Sequence, residues 1–197
     1  MRKLFPLMLI FILPYSHATS PGTSNVAARI TDFGDEFGYG MMISSAQMFL
    51  INVSGQFSHS ALANKYQSIE QQGPDTTRYE VHLYPELRFY SRPKSKTSPF
   101  LGLYAHLGYG GSIREIVGNQ DAGVTESQLT LGVGLSTGAE VFLSSYLSLA
   151  VSARWLNYTF ENKIHVQDTG TAETTTTNQQ HKFNIRMNPA VYLRLHF

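Results

Sequence analysis

Ser58-His59-Ser60 sets two nucleophiles beside a base. Acyl transfer by such a pair needs the imidazole within hydrogen-bond reach of the hydroxyl and a third group holding the ring. On a strand, adjacent side chains point to opposite faces, so His59 diverges from both serines, and no acidic residue stands nearby in sequence. The seven histidines show no metal-ligand spacing, and there is no cysteine to add a thiolate. His82 and His106 fall where they can meet on neighbouring strands, and they are read as fillers of an interior. The Gly-x-Gly pairs at Gly38/Gly40, Gly108/Gly110 and Gly132/Gly134 precede no helical pattern, so they read as room for large neighbours rather than as a nucleotide fingerprint. The remaining chemistry is charge. Glu80, Glu86 and Glu140 supply acids, and Arg88, Arg154, Arg186 and Arg194 supply bases. Charges walled off from water are costly unless paired, so these seven are expected to form paired ladders across an interior.

The elements that would hold them are strands. Five segments alternate apolar with polar or small residues: Tyr79 to Tyr90, Leu101 to Gly110, Leu129 to Val141, Leu147 to Trp155 and Phe183 to Phe197. In each, the charged residues share one parity and the apolar residues the other. Each is long enough for the ~9–11 residues of a tilted spanning strand. Pro85 falls inside the first segment, where it predicts a bulge.

The last segment is the most regular. Phe183, Ile185, Met187, Pro189, Val191, Leu193, Leu195 and Phe197 form one face, and Asn184, Arg186, Asn188, Tyr192, Arg194 and His196 most of the other. A strand of this kind that stops on an aromatic residue resembles the closing strand of bacterial outer-membrane barrels. Val191, Leu193, Leu195 and Phe197 match that pattern, and the resemblance implies that they form the signal read by the barrel-assembly machinery. The whole pattern resembles the small barrels of the OmpX/Ail and opacity-protein type. That likeness implies an eight-stranded antiparallel transmembrane β-barrel, adhesion or envelope integrity as the role, and outer-membrane lipid and lipopolysaccharide as surroundings. A host or cell-surface ligand would be met through the outer loops. No peptidoglycan-binding domain is expected after the last strand.

The other end of the chain agrees with export. Arg2 and Lys3 precede the apolar run Leu4 to Leu13, and Ser16-His17-Ala18 offers small residues for cleavage. Residues 1–18 are therefore expected to be a signal peptide and 19–197 the barrel domain, in the outer membrane of a Gram-negative bacterium. Ten apolar residues are too few to span a bilayer as a helix. A net charge of +1 offers no basic field for nucleic acid. Eleven Tyr and twelve Phe suit aromatic girdles at two interfaces. No cofactor is expected, and the chain is read as a monomer.

The first hairpin is less periodic. A weak repeat, Ala46 to Leu50 against Ala139 to Leu143, predicts a strand from Phe37 to Phe49, a turn at Leu50 to Asn52 and a strand from Val53 to Ser60. Asn25 to Gly34 would be the first strand and Asp35-Glu36 a short outer loop. The polar tracts Ala61 to Thr77, Ser112 to Thr125 and Asn162 to Gln180 are expected to be mobile outer loops, and Ser91 to Pro99 a periplasmic one. An eight-stranded interior is just wide enough for side chains, so the expected function is that of a surface protein with a plugged lumen. A narrow channel for small solutes is the alternative. An enzyme acting on lipid A or phospholipid comes third, and the motifs of such enzymes are absent from the sequence.

Overall fold

Period-two alternation sends one set of side chains to each face of a sheet, and an antiparallel sheet without free edges must close. The computed structural model describes residues 20–30, 36–60, 63–66, 69–72, 76–92, 96–115, 122–169 and 172–197, without the side chains at 63–66, 69–72, 115, 122, 186 and 188. The leader at residues 1–18 and the loop residue Asp35 lie outside the described residues. The strands are β1 Ser24–Arg29, β2 Glu36–Ser44, β3 Gln47–Ser60, β4 Ala63–Tyr66, β5 Ile69–Gln72, β6 Thr76–Tyr90, β7 Thr97–Glu115, β8 Ala122–Phe142, β9 Leu147–Thr169 and β10 Glu173–His196. Among them the barrel runs β1, β10, β9, β8, β7, β6, β3, β2 and back to β1, every pair antiparallel. The strands β4 and β5 form a separate hairpin within the tract read as a loop.

The outward face is apolar. Phe37, Tyr39, Met41 and Ile43 on β2, Leu101, Leu103 and Leu107 on β7, and Leu129, Leu131 and Val133 on β8 are exposed there. Inside, the end nearest the short turns is filled by Met42, Met48, Leu50, Tyr90 and Phe100. A second cluster, Ala27, Ala150, Ala190 and Tyr192, lies against the seam between β1 and β10.

Four expectations change. The first turn is at Ser45-Ala46, not at Leu50 to Asn52. The Ala46 N–H donates to Ser44 Oγ at 3.3 Å, and Leu50 is a fully buried inward residue of β3. The two halves of the weak repeat occupy different places: Ala46 is in a turn, whereas Ala139 to Phe142 end a strand whose turn comes at residues 143–146. Glu36 begins β2 and is buried, not part of an outer loop. Pro85 marks no bulge. The ladder to β7 lapses at Tyr84 and Pro85 and resumes at Glu86↔Tyr104 in the register of Leu83↔Leu107, because the missing N–H drops a bond without displacing the chain. A bulge instead sits at Trp155 and Leu156, which together oppose Leu135. It flips the parity of β9, so that Arg154 and Asn157 both point inward.

The fourth change concerns height. The tracts Ser112 to Thr125 and Asn162 to Gln180 are mostly strand. β9 pairs with β10 out to Asp168↔Glu173, and β7 pairs with β8 out to Glu115↔Gly123. Ile164, Val166 and Thr174 to Thr177 are β-branched and pack well on a pleated surface, and a strand ladder requires no apolar burial of each residue. The opposite side is short. β1 reaches β10 only at Tyr192, with one further bond from Ile30 N–H to Val191 O, and β2 starts opposite Ser54. Among the described residues, the ladder therefore runs high from β6 to β10 and stops lower at β1 and β2.

Candidate functional site

The inward face carries three tiers of ion pairs. In the tier nearest the short turns, Glu140 on β8 meets Arg194 Nη1 at 3.4 Å, both fully buried. The Tyr90 hydroxyl donates to Glu140 at 2.6 Å, and the Ser148 hydroxyl donates to its other oxygen. In the middle tier, Glu86 and Arg88 are two apart on β6 and share a face. Arg88 Nε and Nη2 donate to the two carboxylate oxygens at 2.7 and 3.1 Å, and the Ser136 hydroxyl adds a bond of 2.6 Å. The Arg88 guanidinium lies 4.1 Å from the Phe100 ring centre. In the upper tier, Glu36 receives Arg154 Nη2 at 2.7 Å, the Tyr192 hydroxyl at 3.1 Å and Arg29 Nη1 at 3.8 Å. Arg154 also stands over the Tyr84 ring at 4.1 Å.

Glycine makes room for the middle tier and for the neighbouring Tyr104, whose hydroxyl donates to Leu156 O. A Cβ on Gly102 would lie 2.5 Å from Glu86 Oε1, and one on Gly134 would lie 2.5 Å from the Tyr104 hydroxyl oxygen.

Five of the seven residues expected to form the charge network thus sit in the tiers: Glu86, Arg88, Glu140, Arg154 and Arg194. Glu80 does not join them. Its carboxylate is 56% exposed and stands 3.6 Å from His82 Nε2, well above the tiers. The Arg186 side chain lies outside the described residues. Sequence reasoning missed Glu36, Tyr90, Tyr192, Ser148 and His196. A usable signal existed: Glu36 shares parity with Gly38 and Gly40, and each tyrosine shares parity with the inward arginine two positions away on its strand.

His196, Ser148 and Glu140 resemble a hydrolytic constellation. Ser148 Oγ is 2.8 Å from His196 Nε2. The carboxylate, however, bonds the serine and approaches the same Nε2 at 3.3 Å, while Nδ1 has no partner among the described residues. All three are buried, so the cluster braces the barrel floor rather than presenting a nucleophile. His59, in turn, bonds Thr77 across the ladder at 3.0 Å instead of either serine. Among the described residues no group of three or more His, Cys, Asp or Glu is placed to hold a metal ion.

Two cavities of about 520 Å³ each follow, the lower at the upper tier itself and the other above it. The lower is lined by Arg29, Glu36, Tyr84, His106, Arg154 and Asn157, among others, and the upper by Arg78, Glu80, His82, Glu126, Lys163 and His165, among others. His106 Nε2 and His82 Nδ1 are 3.0 Å apart, and His106 stacks on Tyr84 at 4.6 Å, so this group stands between them.

The closing strand turns Tyr192, Arg194 and His196 inward and Val191, Leu193, Leu195 and Phe197 outward. Phe197 exchanges two backbone bonds of 2.9 Å with Ser24, which ties the end of the chain to the start of β1.

No family model and no curated protein matches the chain. Among solved structures, it is similar to a major outer membrane protein of Thermus thermophilus, at 13% identity over 89% of this chain and 97% of that one, with a TM-score of 0.49. It is also similar to CarO of Acinetobacter baumannii, at 9% identity over 92% and 99% of the two chains, with a TM-score of 0.37. The third is CarO2 of the same organism, at 9% identity over 90% and 98%, with a TM-score of 0.36.

Proposed function

We propose that this chain is an eight-stranded barrel of a Gram-negative outer membrane, exported with residues 1–18 as its leader, that acts through its raised wall rather than through a pore. The observation that carries this reading is the stack of three buried ion-pair tiers. Each tier has its acid and its base on inward positions, and side chains from β1, β2, β6, β8, β9 and β10 contribute. Solute would have to break these pairs in turn, and parting one buried pair costs about 3–5 kcal/mol.

The continuous apolar outer face supports a bilayer as the surroundings. The raised wall supports a role at the surface. Its residues Thr174 to Thr177, Asn178, Gln179 and Gln180 are all exposed. They offer hydrogen-bonding groups on a rigid ladder, where binding residues concentrate. Lipopolysaccharide, and a ligand on a host or neighbouring cell, are the partners this reading implies, and the barrel-assembly machinery is the partner during biogenesis. Bond-breaking chemistry is no part of the reading.

A narrow channel is the second reading, favoured by the two cavities that begin at the upper tier. Planar-bilayer recording separates the two. The wild type should show no steady current, and neither should the double variant Glu86→Ala/Arg88→Ala, because the tiers of Glu140–Arg194 and Glu36–Arg154 remain closed. A wild type that conducts steadily would replace the surface reading with the channel.

A further inference from the structure

The strands β6 to β9 run in continuous register at the height of the upper cavity. Arg78 lies beside Ser112, Ser112 beside Glu126 and Glu126 beside His165. Two residues along, Glu80 lies beside Gly110, Gly110 beside Gln128 and Gln128 beside Lys163. All eight line the same cavity of about 520 Å³. Small-ligand sites commonly measure about 300–1,000 Å³.

The charges of this cavity are unequally occupied. Its two acids are engaged. Glu126 meets His165 Nδ1 at 3.1 Å and accepts from the Ser112 hydroxyl at 3.3 Å, and Glu80 stands 3.6 Å from His82 Nε2. Its two strong bases are not engaged. Among the described residues, neither the Arg78 nor the Lys163 side chain has an ion-pair or hydrogen-bond partner. Both residues are exposed, so both present surface to a ligand.

The wall sets the two bases face to face. Three strand spacings of 4.7–4.9 Å separate them by about 14 Å along the sheet. The curvature of the closed ring turns their long side chains toward each other across the cavity. The inward residues of β7 at this height are Gly108, Gly110 and Ser112, so no long side chain rises from the strand between β6 and β8. On β10, Thr176 lies opposite His165 and Asn178 opposite Lys163. They add an exposed hydroxyl and an exposed amide to the lining.

We propose that the upper cavity binds a small hydroxylated phosphate monoester, with the phosphate between Arg78 and Lys163 and the hydroxyls toward Gln128, Thr176 and Asn178. A phosphate monoester carries a charge of about −1.5 to −2 at pH 7, which two bases match and a single carboxylate does not. The guanidinium fork of Arg78 suits two of its oxygens, and Lys163 serves as a point charge. The ladder from β6 to β10 stands between the cavity and the surroundings of the barrel on that flank, so the ligand comes from water at the raised end. The ion-pair tiers lie below, and the ligand is held rather than passed on. This site is separate from the outer surface of the raised wall.

The test uses the full barrel in detergent micelles, with glucose 6-phosphate as the probe in titration calorimetry. Glucose 6-phosphate should bind saturably, and uncharged glucose should not. Arg78→Gln and Lys163→Gln should each weaken binding about tenfold, because each removes a charge-assisted hydrogen bond. Glu126→Gln should strengthen binding, because it takes a negative charge out of the cavity. Lys96→Gln removes an exposed positive charge at the short-turn end and should change nothing. Heat-modifiable mobility confirms that each variant folds. Absence of saturable binding to the wild type overturns the proposal. Full affinity in both Arg78→Gln and Lys163→Gln overturns the site, and so does an equal loss in Lys96→Gln. Glucuronate binding as tightly as glucose 6-phosphate overturns the assignment of a phosphate. Displacement by rough lipopolysaccharide, but not by its dephosphorylated form, overturns the aqueous source and assigns the cavity to a headgroup. The readout is made in micelles, so these outcomes stand apart from the membrane reading, which bilayer recording and fractionation test.

Discussion

Glu140 is the most heavily engaged carboxylate of the lumen, and Glu140→Ala isolates what the lowest tier contributes. Arg194 is fully buried, and among the described residues Glu140 is its only acid partner. Removing that partner strands a buried guanidinium, at about 3–5 kcal/mol. The Tyr90 hydroxyl also loses its bond of 2.6 Å and keeps only a 3.6 Å contact to Met48 Sδ. A buried hydroxyl left unsatisfied adds about 1–3 kcal/mol. Ser148 retains His196 and adds little. Because neighbouring losses do not add in full, the expected total is about 4–6 kcal/mol. Urea unfolding in vesicles can be followed by fluorescence of Trp155, the single tryptophan. The double variant Glu140→Leu/Arg194→Met removes both charges and should recover most of the loss, since replacing a buried pair with apolar groups is often neutral. The control Glu126→Ala breaks an exposed contact with His165 at 3.1 Å and should change stability by about 1 kcal/mol or less. A Glu140→Ala barrel as stable as the control would refute the view that paired charges hold the floor, and so would a double variant no better than the single.

Three further outcomes are expected. Val133→Arg places a charge on the outward face of β8 and should destabilise by about 2–4 kcal/mol near a bilayer midplane, whereas Gln167→Arg on the raised hairpin should change little in the same urea titration. Excising residues 164–177 and joining Lys163 to Asn178, which already face each other, through an Asn-Gly turn should leave a folded, heat-modifiable barrel while any adhesion falls. Deleting Phe197 removes both bonds to Ser24, and the outer-membrane level in cell fractionation should drop sharply.

Much of this architecture was legible from parity alone. The five alternating segments lie within barrel strands, and the inward charges of β6, β8 and β10 were identifiable because a strand offers each residue only two directions. What parity cannot supply is partnership. Glu36 finds Arg154 and Tyr192 from the far end of the chain, because ring closure sets β1 and β2 beside β10, and no local pattern encodes that register. The parity flip at Trp155 was equally invisible, since it depends on two residues opposing one across a ladder. Composition misled at the raised wall. A Thr-, Asn- and Gln-rich tract reads as solvated, which it is, yet its backbone bonds go to neighbouring strands.

On the membrane reading proposed above, the unequal wall also bears on the mechanics of the bilayer. On β2 the outward apolar residues run from Phe37 to Ile43, and on β8 from Leu129 to Val141. With a rise of about 3.3 Å per residue and a tilt near 45°, these bands are about 15 Å and 28 Å tall, against a hydrocarbon core of about 30 Å. The barrel is thus a wedge-like inclusion: matched to the bilayer on one flank and demanding a local thinning on the other. Each ångström of such mismatch costs a fraction of a kcal/mol, borne by the annular lipid at β1 and β2. Two copies that meet short flank to short flank share one thinned zone, so the elastic strain of the lipid draws them together without any complementary protein surface. The same strain is relieved in thinner membranes, which gives the shape of the wall an influence on where the protein collects.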